Sequence, residues 1–193
     1  MNQLKTIVLT GMALGLLWSC GSTKSTETLV LEKRQFEELK EIVATKVYTI
    51  AVNTAYPMQT YAVTQITNSL MRNTGNNAAR IDVTGNYIEV KVDSVEGGLA
   101  YFGEVRIANT LDPRDSGINF KGEPLSYEVF ENIEKQTLNV EFDIKGNSME
   151  LFSVIMQLYP NKRAAIIVNS PYRNSIRYDG KLNEIEERET SSK

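Results

Sequence analysis

The amino-acid sequence predicts a mostly-β domain, an antiparallel sandwich or barrel with one N-terminal helix packed on it. Three observations carry this. Between Leu29 and Val43 apolar residues recur at helical spacing. From Lys46 onward the hydrophobic period changes to two. The later segments are punctuated by turn pairs such as Gly85-Asn86 and Gly146-Asn147. A period near 3.6 places apolar side chains on one stripe of a helix, and a period of two places them on one face of a strand. Short strands joined by tight turns build antiparallel sheets.

The helix opens after Thr28, a residue suited to capping, and its apolar stripe of Leu29, Phe36, Leu39, Ile42 and Val43 is expected to cover one face of the sheet. Its other face is charged, with Arg34 and Glu38 spaced to pair. Val47 to Asn53 is a strand candidate, stopped at Pro57. Tyr61 to Leu70 fits a strand or a short helix, and Arg72 to Asn77 a polar turn region.

With Gly85-Asn86 as a two-residue hairpin turn, Val83 faces Ile88, Ile81 faces Val90 and Ala79 faces Val92 on one apolar face. Arg80, Asp82, Glu89 and Lys91 share the other face. With Gly146-Asn147 as a second turn, Phe142 faces Leu151 and Leu138 faces Ile155. Leu151 to Leu158 is apolar at nearly every position, which predicts cover on both faces, one of them from the helix. Tyr159-Pro160-Asn161-Lys162 is a turn before a buried strand at Ala164 to Val168, which Ser170-Pro171 ends. Ser175 to Tyr178 is a last strand, ended by Asp179-Gly180.

The N-terminus reads as an export segment. Lys5 precedes a short apolar run from Ile7 to Trp18, too short to span a bilayer as about 20 apolar residues would. It closes on Leu17-Trp18-Ser19-Cys20, which resembles a bacterial lipobox, and Cys20 is the one cysteine of the chain. Cys20 is thus the candidate lipidation site, with an ordinary signal peptide and an incidental cysteine as the alternative. The expected organisation is a signal peptide over 1–19, a flexible tether over 20–28, one mostly-β domain over 29–182 and a frayed polar tail over 183–193. No acidic cluster follows Cys20, which favours a periplasm-facing anchor.

Composition removes several function classes. The chain of 193 residues carries 21 basic and 24 acidic residues, a net charge of -3, and it has no basic run to neutralise phosphates, so nucleic acid is not an expected partner. It has no histidine. With no second cysteine either, a zinc site is disfavoured, and catalysis through a histidine base is excluded. Neither metal nor cofactor is expected. Dinucleotide and phosphate-loop fingerprints are absent.

Gly98 to Phe120 carries a further pattern. Leu99-Ala100-Tyr101-Phe102-Gly103, followed by Gly117-Ile118-Asn119-Phe120, resembles the domain of unknown function 4251 family of bacterial envelope proteins. The family signature resembles Leu-Pro-Tyr-Phe-Gly, with Ala100 standing here for the proline. The closing Ile176-Arg177-Tyr178-Asp179-Gly180 is similar to the family's end. The resemblance runs roughly from Phe36 to Lys181. It implies a Gram-negative envelope setting and a mostly-β domain, and it brings no activity; the expected location of the lipid anchor is the outer membrane.

The candidate ligand-binding residues are Tyr101 and Phe102, between Gly98 and Gly103, with Glu104 and Arg106 following on one face. The competing reading makes the aromatics core and the charges a surface ion pair. Asp112-Pro113-Arg114-Asp115 reads as a polar loop, with calcium or acid/base work as its alternative. The expected function is a non-catalytic, lipid-anchored binding or accessory protein, holding a small molecule or an envelope protein. The alternatives are an enzyme using carboxylates or tyrosine, and a structural envelope component.

Overall fold

The computed structural model describes residues 26–58, 60–70, 79–106, 117–147 and 150–185. Cys20, the tether before Thr26, Asp112 to Asp115 and residues 186–193 lie outside them. The chain divides into two compact units, residues 1–31 and 32–193. Of the first unit, the described part is the opening of helix α1 (Thr26–Thr45), where Leu29, Val30 and Leu31 are exposed.

The second unit is mostly antiparallel β. Strands β1 (Tyr48–Pro57), β2 (Ile81–Lys91), β3 (Ser94–Leu99), β4 (Ile118–Gly122), β5 (Ser126–Asn132), β6 (Thr137–Lys145), β7 (Leu151–Leu158), β8 (Arg163–Ser170) and β9 (Arg173–Glu184) form one sheet in the order β4-β3-β2-β1-β9-β8-β7-β6-β5. A second, ten-residue helix, α2 (Tyr61–Leu70), follows β1 and resolves the ambiguity of that segment. The sheet is curled into a half-barrel, and its two edge strands are consecutive in the chain. The curl brings β4 to the β6–β7 connection: Phe120 bridges Gly146, and Asn147 N–H donates to the Asn119 carbonyl at 3.0 Å. The concave face holds the core, and Phe36, Leu39 and Val43 of α1 are buried in it. Full burial of such a side chain is worth about 1.5–3 kcal/mol. On the polar side of α1 Arg34 pairs with Glu38, as their spacing predicts.

Several local expectations are corrected. Gly85-Asn86 is no hairpin turn. β2 runs straight through it, and the hairpin to β3 turns at Val92-Asp93, between the paired Lys91 and Ser94. Val52 pairs with Asn86 and Thr54 with Asp82, so β2 carries extra residues there, and Gly85 has φ 73°. This is a bulge with glycine in the left-handed conformation. It flips the pleat's parity, so Ile81 and Val83 are buried before it and Ile88 and Val90 after it. Bulge and hairpin satisfy the same apolar pattern at Ile81, Val83, Ile88 and Val90, while Ala79 and Val92, predicted on that face, are exposed.

The β6–β7 hairpin exists, but its register differs. Phe142 pairs with Val154, Ile144 with Phe152 and Leu138 with Leu158, across a connection that spans Gly146 to Glu150. This odd-numbered slip turns Phe152, Val154, Met156 and Leu158 inward, while Leu151 is exposed. β7 is therefore fully buried on one face only; on the other, Ser153, Ile155 and Gln157 are half-buried, and Ile167 of β8 is exposed there.

Gly180 does not end the last strand but lies inside β9, paired with both Val52 and Ala164. A Cβ at Gly180 would lie 2.7 Å from the Ala51 carbonyl oxygen and 2.9 Å from Ile50 Cγ2. We predict that Gly180→Ala lowers unfolding stability by about 2–3 kcal/mol through overpacking against backbone. Gly85→Ala, where a Cβ meets nothing within 4 Å, costs only its left-handed φ, about 1 kcal/mol. Urea denaturation of the two variants checks the order.

Candidate functional site

The segment after β3 crosses the end of the curled sheet as a strap. Ala100 N–H donates to Asn86 Oδ1 in a short bond, and the Ala100 carbonyl accepts from the Tyr178 hydroxyl at 2.8 Å. A proline at position 100 would have no N–H to give Asn86. The departure from the family signature thus has a structural partner. Further along, Asn174 N–H donates to the Glu104 carbonyl at 3.0 Å and Arg106 N–H to the Tyr172 carbonyl at 2.7 Å, so Val105 bridges Arg173 at the β8–β9 hairpin.

Tyr101 and Phe102 pack, half-buried, against the core. The Tyr101 hydroxyl lies 2.9 Å from the Glu104 carbonyl and 3.0 Å from that of Asn174, sharing its proton between them. Burial pushes the Tyr101 phenol up in pKa, and the Arg173 guanidinium, 5.2 Å from the ring centroid, offsets part of this. Burial pushes Tyr178 up further. Both phenols stay protonated as hydrogen-bond donors.

Beneath Tyr101 lies the feature that sequence reasoning missed. Glu150 and Arg173 form a buried ion pair, with side chains 1% and 6% exposed. Arg173 Nε lies 3.0 Å from both carboxylate oxygens and its second terminal nitrogen 2.9 Å from Oε2. Its other terminal nitrogen donates to the Gly117 carbonyl at 3.0 Å, and the Ser170 hydroxyl donates to Glu150 Oε1 in a short bond. The guanidinium lies between two rings, with Phe152 5.9 Å away on centroid. Nothing local in the sequence marks this pair, since its members stand 23 residues apart, each beside an apolar strand.

Glu104 and Arg106 do not pair with one another. Each holds the Asn174 amide: Arg106 Nε donates to Asn174 Oδ1 at 3.0 Å, and Asn174 Nδ2 donates to Glu104 Oε2 at 3.4 Å. Thr60 donates to the other Glu104 oxygen at 2.6 Å. The four sequence-predicted residues are thus brought together, but their polar groups are bonded to one another and to the hairpin.

Open concavities lie at the opposite end of β3, around Tyr127. A cleft of about 220 Å³ is bounded by the β2–β3 hairpin, the Glu123 to Tyr127 segment and Lys46. A trough of about 280 Å³ runs between α1 and β5, lined by Val43, Ala44, Val129 and Leu138, with Lys40 and Lys46 along it. Lys46 Nζ stands 4.9 Å over the Tyr127 ring, which stacks on Phe142. The Tyr48 and Tyr127 hydroxyls are 2.7 Å apart. Tyr48 is fully buried, and burial, then its contact with Tyr127, pushes its phenol well up. Either hydroxyl can donate in this bond. Among the described residues, no group of three or more His, Cys, Asp or Glu is placed to hold a metal ion, and no helix is long and apolar enough to cross a membrane.

Removing one partner of a buried ion pair leaves the other charge unpaired and costs about 3–5 kcal/mol. We predict that loss for Glu150→Gln. Tyr101→Phe, which removes one neutral hydrogen bond, costs about 1 kcal/mol. Chemical denaturation measures both. A larger effect at Tyr101 would shift the weight of the site to the aromatic strap.

No curated protein matches the sequence. The family described as domain of unknown function (DUF4251) matches residues 31–182, which takes in the strap, the ion pair and every strand but the last two residues of β9, and the chain belongs to that family.

Proposed function

We propose that this domain is a non-catalytic binding or accessory protein, held at the membrane of the bacterial envelope by a lipid on Cys20 and facing the periplasm. The observation that carries the binding reading is the contrast between the two ends of the sheet. At the Tyr101 end the carboxylates of Glu150 and Glu104 are already taken by Arg173, Ser170, Asn174 and Thr60, which leaves an acid/base mechanism no free pair there among the described residues. At the Tyr127 end the cleft is open, with an ammonium and a phenol at its rim and Lys91, Asp93, Ser94 and Glu123 around it. The lining is mainly polar and charged, with Val90, Val95 and Leu125 among it, and such a concave site suits a small polar ligand. Lys46 favours an anionic group on that ligand.

The Cys20 anchor rests on the lipobox resemblance of Leu17 to Cys20 and on the export segment before it. Two measurements test the proposal. In a thermal-shift screen of the chain from Gly21 onward, a small anionic compound is expected to raise the melting temperature, and Lys46→Ala to remove the shift. Stabilisation that survives Lys46→Ala would contradict the site. In fractionated cells, Cys20→Ala is expected to leave the membrane fraction, and unchanged retention there would contradict the anchor.

A further inference from the structure

We propose that β5 is a pairing edge for a second copy of this chain, joined antiparallel about a twofold axis through Val129. The inference is independent of whether Cys20 carries a lipid, and it sets the second copy's Glu131 in competition with an anionic ligand for Lys46.

The two edges of the sheet differ. β4 is five residues long and is closed off by the Phe120–Gly146 bridge and the Asn147 bond. β5 is seven residues long and, among the described residues, pairs only with β6. It lacks the lysine or proline that commonly blunts an edge strand. It exposes apolar side chains on both faces and at both ends: Val129 at 45%, Phe130 at 49%, Leu125 at 62% and Ile133 at 76%. On the α1 side the trough continues to this edge, with Val129 in its lining.

Charge then selects the occupant and the register. Directly opposed residues in an antiparallel pair share a face, so a twofold pairing of β5 must centre on a residue. Centring on Glu128 or on Glu131 sets that glutamate against itself. Centring on Val129 sets Val129 against Val129, Glu128 against Phe130, Tyr127 against Glu131, Ser126 against Asn132 and Leu125 against Ile133. The apolar ends meet, the polar pair meets, and no carboxylate opposes another. This register also brings the second copy's Glu131 beside Tyr127, whose ring carries the Lys46 ammonium. Among the described residues no carboxylate lies within ion-pair distance of Lys46, whereas Lys40 is already taken by Glu37 at 2.7 Å. Glu131 has only a 3.6 Å contact with Lys40 in its own chain. The twofold makes the Lys46–Glu131 contact twice. Centring on Phe130 also avoids opposed glutamates, but it sets Glu131 against Val129, away from Lys46.

Cysteine crosslinking of the full chain in a Gram-negative host reads the register. Val129→Cys is expected to yield a disulfide-linked dimer on a non-reducing gel, above the background of the parent chain with Cys20 alone. Phe130→Cys is expected to stay at that background. Both positions are half-exposed, so the substitutions leave the core intact. Adding Lys46→Glu to Val129→Cys is expected to reduce the dimer several-fold by opposing two carboxylates, and adding Glu131→Lys as well to restore it. A Val129→Cys yield no higher than the parent's, or a Phe130→Cys yield equal to it, would overturn the proposal.

Discussion

The ion pair between Glu150 and Arg173 is the interaction on which the arrangement of this domain depends. Two charges taken out of water cost on the order of several kcal/mol each unless every polar atom finds a partner. Here the partners come from separate parts of the chain. Glu150 stands at the entry to β7, Arg173 and Ser170 flank the β8–β9 turn, the Gly117 carbonyl precedes β4, and Tyr101 belongs to the strap after β3. Those segments meet only when the sheet is curled. The pair therefore does more to specify the curl than to add net stability, since an apolar substitute of equal volume would pack as well but would not require four segments to converge.

That constraint explains the strap. Leu99 to Gly103, the segment that carries the family signature, is the lid of the ion pair. Its aromatic ring supplies a π face to the guanidinium, and its backbone is tied at Ala100 to Asn86 and Tyr178. The signature is thus accounted for by packing and charge burial. The functional surface is better sought where side chains are not already spoken for, at the other end of β3 and along β5.

Much of the fold was legible in the sequence because one alternating pattern runs through most strands. Helix α1, the predominance of β and the inward faces of Ile81, Val83, Ile88 and Val90 follow from periodicity alone. Gly85 and Gly180 misled because a glycine marks close approach or a left-handed residue without saying whether the chain turns there or bulges. The register of β6 against β7 was hidden because β7 is apolar at most positions, so either parity looked acceptable. Tyr101, Phe102, Glu104 and Arg106 were legible as a group, since they lie on one segment. Their role was not, because it is set by Glu150, Arg173 and Asn174, which lie far away in sequence and close only after the sheet curls.

The most direct test of this account is amide hydrogen exchange on the parent chain and on Arg173→Met, which removes the charge but keeps apolar bulk. Without the guanidinium the strap loses its floor. The account predicts faster exchange at the Ala100, Arg106 and Asn174 amides, which are bonded across the strap, with protection kept in β1 and β9. Unchanged protection at those three amides would contradict it, as would a uniform loss across the whole sheet.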